Sequence, residues 1–108
     1  MCTDESRSPK APMKFLAIIE VAPGASIEAI RGELPQELRG SWALYASGVL
    51  REAYATESPS RVVFILEASD AADAKRHLDA LPFFAKGAMQ VHLVELRPFV
   101  NWSMLFAQ

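Results

Sequence analysis

Cysteine is nearly absent from this chain. Its 108 residues include one, Cys2. No disulfide can therefore form within the chain, and no cysteine-rich zinc site can be built. Histidine is scarce as well. His77 and His92 are the only two. They lie far apart, and no His-x-x-x-His or paired-carboxylate spacing supports a metal site. Five scattered glycines supply no phosphate-cradling loop, and no Gly-x-Ser-x-Gly elbow marks a serine nucleophile. Positive charge is not in excess. Eleven Lys and Arg against thirteen Asp and Glu give a formal net charge of −2. Nothing is left over to neutralise a phosphate backbone, which disfavours nucleic acid as a partner. Long apolar runs are also missing. Val62–Leu66 is strand length and far too short to span a bilayer, so no membrane association is expected. The polar stretch Met1–Pro12 carries Asp4, Glu5, Arg7 and Lys10. It lacks the apolar segment of a secretory signal and reads as a flexible tail, which implies a cytoplasmic protein.

What is present is apolar. Hydrophobic residues make up 51% and charged residues 22%, a composition for one packed domain rather than a disordered chain. Lys14–Val21 is a short apolar run ending at the turn signal Pro23-Gly24 and reads as a buried strand. Ser26 suits a helix N-cap. Ile27, Ile30, Leu34, Leu38, Trp42 and Tyr45 then recur at helical spacing, which predicts a face covering a sheet. Pro35 should split this region into Ser26–Arg31 and Pro35–Ala46. Gly48 suits a C-terminal cap. Leu50–Thr56 and Arg61–Ala68, joined by Glu57-Ser58-Pro59-Ser60, predict an antiparallel hairpin. Ser69 or Asp70 caps a second helix with Ala71, Ala74, Leu78 and Leu81 along its stripe. A loop from Pro82 to Gly87 leads to a last strand over Ala88–Arg97, stopped by Pro98.

The order strand, helix, strand, strand, helix, strand is the split βαβ pattern. It predicts an α+β, ferredoxin-like βαββαβ fold: a four-stranded antiparallel sheet with both helices on one face. Phe15–Ile19 and Val62–Leu66 are apolar at both parities, as strands buried on both sides are. One copy has only its C-terminal tail to cover the second face. Trp102, Leu105 and Phe106 in that tail would make an exposed apolar patch in a monomer. A homodimer or higher homo-oligomer is therefore expected. The domain is expected over residues 13–98, with residues 99–108 packing on a partner subunit.

Three short motifs carry a family likeness. Gly48-Val49-Leu50-Arg51 opens the second strand, Leu81-Pro82-Phe83-Phe84 follows the second helix, and Leu96-Arg97-Pro98 ends the last strand. In this order and spacing the chain resembles muconolactone isomerase and the related YciI-like proteins of the dimeric α+β barrel superfamily, over nearly all of Met13–Pro98. The resemblance implies sheets paired face to face into a barrel. It also implies double-bond migration in a small lactone, with neither metal nor organic cofactor. Other members of the superfamily are cofactor-independent monooxygenases or have no known activity. The acidic residues of the isomerase's last strand have no counterpart in Ala88–His92, so the resemblance bears on fold more directly than on reaction.

Polar residues inside apolar strands are the candidates for chemistry, because a buried ionisable group needs a partner or a purpose. They are Glu20, Arg51, Glu52, Tyr54, Glu67, His92 and Glu95. Histidine is the side chain suited to acid–base work near neutral pH, so His92 is the candidate acid/base, with Glu67 as a strand glutamate that can share the role. Arg51 belongs to the Gly-x-x-Arg motif and can clamp a carboxylate with its forked donors, or pair with Glu52, Glu67 or Glu95 across the sheet. Tyr54, Tyr45, Trp42 and Glu52 are candidates for lining a substrate pocket, although Tyr45 and Trp42 share the helix stripe and core packing is the better account of both. The expected partner is a small anionic or carbonyl-bearing metabolite. An accessory subunit that binds a small ligand without catalysis is the other reading.

Overall fold

A computed structural model describes residues 12–106 of the chain. The expected tail, Met1–Pro12, falls outside the described residues except for Pro12. Strand β1 runs Met13–Val21, helix α1 Ile27–Ser47, β2 Leu50–Glu57, β3 Ser60–Ala68, α2 Ala71–Asp79, the one-turn α3 Pro82–Ala85, and β4 Met89–Leu96. A 3-10 helix, Val100–Leu105, follows. The strands form one antiparallel sheet in the order β2-β3-β1-β4. This is an α+β architecture with an open sheet, compatible with a ferredoxin-like fold. No helix among the described residues is long and apolar enough to cross a membrane.

Local chemistry sets the element ends. Ser26 Oγ accepts from Ala29 N–H at 3.2 Å, and Asp70 Oδ1 accepts from Asp73 N–H at 2.8 Å. Each satisfies one of the donors a helix leaves free in its first turn. Gly48 ends α1 with φ +90°, a left-handed conformation that a Cβ would penalise.

Two expectations about α1 are corrected. The helix is continuous through Pro35 rather than two segments. Proline removes a backbone donor and frees the carbonyl four residues earlier, but Pro35 and Arg31 are both exposed, so solvent can take that carbonyl. The apolar stripe also does not cover the sheet. Leu38, Trp42 and Tyr45 are 58%, 67% and 51% exposed, so neither Trp42 nor Tyr45 is a core residue. The inward side carries Glu37, buried, with Ile30, Glu33, Gly40 and Leu44 half-buried. Two contacts fix this rotation. Glu37 Oε1 accepts from Phe83 N–H at 2.9 Å. Gly40 lies so close to Leu81 that a Cβ there would sit 2.8 Å from Leu81 Cδ2. The stretch expected to be a loop after Pro82 is α3, whose first turn donates to that glutamate.

The core lies between sheet and helices. Phe15, Ala17 and Ile19 of β1, Phe64, Leu66 and Ala68 of β3, and Leu50 of β2 meet Ala74, Leu78 and Leu81. The opposite parity of the strands faces away from every helix.

Candidate functional site

Antiparallel pairing places directly opposed residues on the same side of a sheet. The registers therefore fix the composition of the face that no helix covers. Ile18 opposes Val63 and His92, and Val63 opposes Tyr54. This gives a row Tyr54–Val63–Ile18–His92 across the four strands. The next row is Glu52–Ile65–Leu16–Val94, and beyond it Glu67 and Lys14 stand beside Leu96. On the other side of the His92 row, Thr56 opposes Arg61 and Glu20 opposes Gln90. The face is thus an apolar centre of Leu16, Ile18, Val63, Ile65 and Val94 with charged residues at each end, Arg61 and Glu20 at one and Glu67 and Lys14 at the other.

A β-bulge decides which β2 residues join this face. Leu50 pairs with Leu66, but Glu52 pairs with Ile65, so Arg51 is the extra residue. In a regular strand Leu50, Glu52 and Tyr54 would share one side. The bulge turns Leu50 into the core and Glu52 and Tyr54 onto the uncovered face.

The polar end row forms a shallow cleft of about 340 Å³ lined by Ile18, Glu20, Arg61, Gln90, Val91 and His92. Glu20 is its anchor. Gln90 Nε2 donates to Glu20 Oε2 at 2.9 Å, and Arg61 Nε donates to Glu20 Oε1 at 3.0 Å. Both stabilise the carboxylate. The Gln90 hydrogen bond, then the Arg61 hydrogen bond and positive charge, hold Glu20 below the ordinary carboxylate range. Glu20 is therefore a fixed anion that orients Arg61, not a proton donor near neutral pH.

The remaining candidates are spread around the fold. Tyr54 Oη donates to Glu52 Oε1 at 2.5 Å. That hydrogen bond, with the negative charge behind it, pushes the Tyr54 hydroxyl above its ordinary range. Glu67 Oε2 lies 3.1 Å from Lys14 Nζ at the opposite end of the face from Glu20. Glu95 opposes the buried Phe15, on the helix-covered side, and pairs with Arg97 at 3.1 Å. Arg51 and Tyr45 line a separate cleft of about 430 Å³ at the junction of α1 and β2, with Ala46, Ser47, Gly48 and Leu50. Trp42 and Tyr45 pack ring on ring, centroids 5.3 Å apart, on the outer side of α1.

The structure brings His92 together with Glu20, but not with Arg51 or Tyr54. Tyr54 and His92 stand on opposite edge strands, three strand spacings or about 14 Å apart. Sequence reasoning missed Arg61 and Gln90. The available signal was parity, since Arg61 is in step with Val63, Ile65 and Glu67, and Gln90 with His92 and Val94. Among the described residues no group of three or more His, Cys, Asp and Glu side chains is placed to hold a metal ion. No protein-family model matches the chain, and no curated protein matches it.

Proposed function

We propose that the chain is a small-molecule enzyme of muconolactone-isomerase type. It moves a proton on a small lactone or carbonyl metabolite, without a cofactor, at the uncovered sheet face. The observation that carries this reading is the cleft that His92 shares with Arg61. His92 carries an imidazole on this face, a group that can take a proton from carbon next to a carbonyl. Arg61, oriented by Glu20, offers further N–H donors to a substrate carboxylate or to the enolate oxygen that forms. Returning the proton two carbons away shifts the double bond, so the reaction needs no net electron transfer. A second copy covers the apolar centre of the face, and the C-terminal 3-10 helix packs on a neighbour. Trp102 in that helix and Phe106 just after it are 66% and 78% exposed, which in water favours burial against another surface.

The test is a proton NMR assay in D2O with a carboxylated β,γ-unsaturated lactone. Wild-type protein is expected to incorporate deuterium and shift the double bond. His92→Ala is expected to lose roughly 100-fold or more, the usual scale for one general acid–base group. Equal rates for wild type and His92→Ala would remove the proposal. Oxygen uptake with a phenolic substrate would replace it with a cofactor-independent monooxygenase, and saturable binding without turnover with a ligand-binding role.

A further inference from the structure

We propose that the cleft at the junction of α1 and β2 is a second binding site, built on Arg51 and Tyr45, for a small planar aromatic carboxylate. The site needs neither the dimer nor the reaction proposed above.

Local backbone geometry aims Arg51 into this cleft. Arg51 is the extra residue of the β2 bulge. It therefore drops out of the alternation that sends Leu50 to the core and Glu52 and Tyr54 to the uncovered face. Gly48 ends α1 just before it and carries no side chain. A Cβ at Gly48 would lie 3.7 Å from Arg51 Nη1, so the guanidinium rests against the end of the helix. The three glutamates expected to neutralise Arg51 are engaged elsewhere. Glu52 accepts the Tyr54 hydroxyl, Glu67 pairs with Lys14, and Glu95 pairs with Arg97. Among the described residues no carboxylate forms an ion pair with Arg51. Its forked donors are left for a ligand.

The cleft selects for an anion. It holds about 430 Å³, and Arg51 is the one charged side chain in its lining. The negative end of the α1 dipole lies here too, but its carbonyls are occupied. Leu44 O accepts from Gly48 N–H, Val49 N–H and Ser47 Oγ, and Tyr45 O accepts from Gly48 N–H. The full charge of Arg51 outweighs what remains.

An apolar shelf stands beside the charge. Tyr45 lines the cleft and packs on Trp42, one helical turn back, with ring centroids 5.3 Å apart. The two rings are 51% and 67% exposed, so a flat ring can lie on them while its carboxylate meets the Arg51 fork. The same small acid cannot also touch His92. Arg51 and His92 lie on β2 and β4, the two edges of the sheet, about 14 Å apart at three strand spacings.

Tryptophan fluorescence tests the proposal. The chain has two tryptophans, so Trp102→Phe leaves Trp42 as the single reporter. Sodium benzoate, titrated at constant ionic strength, is expected to change the Trp42 emission saturably. Sodium acetate has the carboxylate without the ring and should bind roughly 10-fold more weakly or less well still. Arg51→Gln, at an exposed position, should weaken benzoate roughly 10- to 100-fold, the scale of a hydrogen bond to a charged group. Arg51→Lys keeps the charge without the fork and should fall between the two. His92→Ala should bind benzoate as the parent does. Equal affinity in the Arg51→Gln protein, equal affinity for acetate, or no saturable binding by fluorescence and calorimetry would each overturn the proposal. Binding lost in His92→Ala and kept in Arg51→Gln would also overturn it, by placing the acid in the His92 cleft, and would leave the proposed reaction standing.

Discussion

Removing the Glu37 side chain should cost this fold stability out of proportion to its size. Glu37 is the buried polar residue among the described core positions, and Phe83 beside it is buried as well. Glu37→Ala leaves the Phe83 N–H without the acceptor it has at 2.9 Å. An unsatisfied buried donor costs about 1–3 kcal/mol. For a domain near 100 residues, about 2 kcal/mol lowers the melting temperature by roughly 10 °C. Glu37→Gln separates the hydrogen bond from the charge, because the amide oxygen can still accept. Burial pushes the Glu37 carboxyl above its ordinary range, with the Phe83 N–H opposing in part. A carboxyl raised in the folded state gives its full stability below its unfolded value and loses it as pH rises through the folded value. Glu37→Gln should therefore gain on wild type as pH rises above the ordinary carboxyl value of 4.5. Urea unfolding followed by tryptophan fluorescence at several pH values reads both effects. The reasoning is refuted if Glu37→Ala stays within about 0.5 kcal/mol of wild type, or if the gap between wild type and Glu37→Gln does not change with pH.

Two glycines in α1 should respond in opposite ways. A Cβ at Gly32 meets nothing within 4 Å, so Gly32→Ala should stabilise by about 0.5–1 kcal/mol through helix propensity, whereas Gly40→Ala forces Leu81 aside and should destabilise by about 1 kcal/mol or more; paired thermal melts decide both. For the tail, replacing Trp102 and Leu105 together with serine should lower the oligomer mass in light scattering while leaving the far-ultraviolet circular dichroism of the domain intact. An unchanged mass would show that the 3-10 helix packs on no neighbour.

The sequence determined the elements because their causes are local. Alternation and β-branched runs placed the strands, Ser26 and Asp70 capped their helices as expected, and Gly48 closed α1. The element order then restricted the sheet to an α+β arrangement. A polar residue in an apolar strand is also legible in the sequence, which is why Glu20, Tyr54 and His92 stand out there. Only the tertiary structure decided where those residues point. The rotation of α1 follows from Glu37 meeting Phe83 and from Gly40 meeting Leu81, contacts between residues more than 40 positions apart. The bulge at Arg51 shifts the register of β2 and moves Glu52 and Tyr54 to the uncovered face. The strand order puts Arg61 and Gln90 on either side of Glu20. Periodicity specifies that a side chain alternates, but which neighbour it meets is settled by packing and register across the whole sheet.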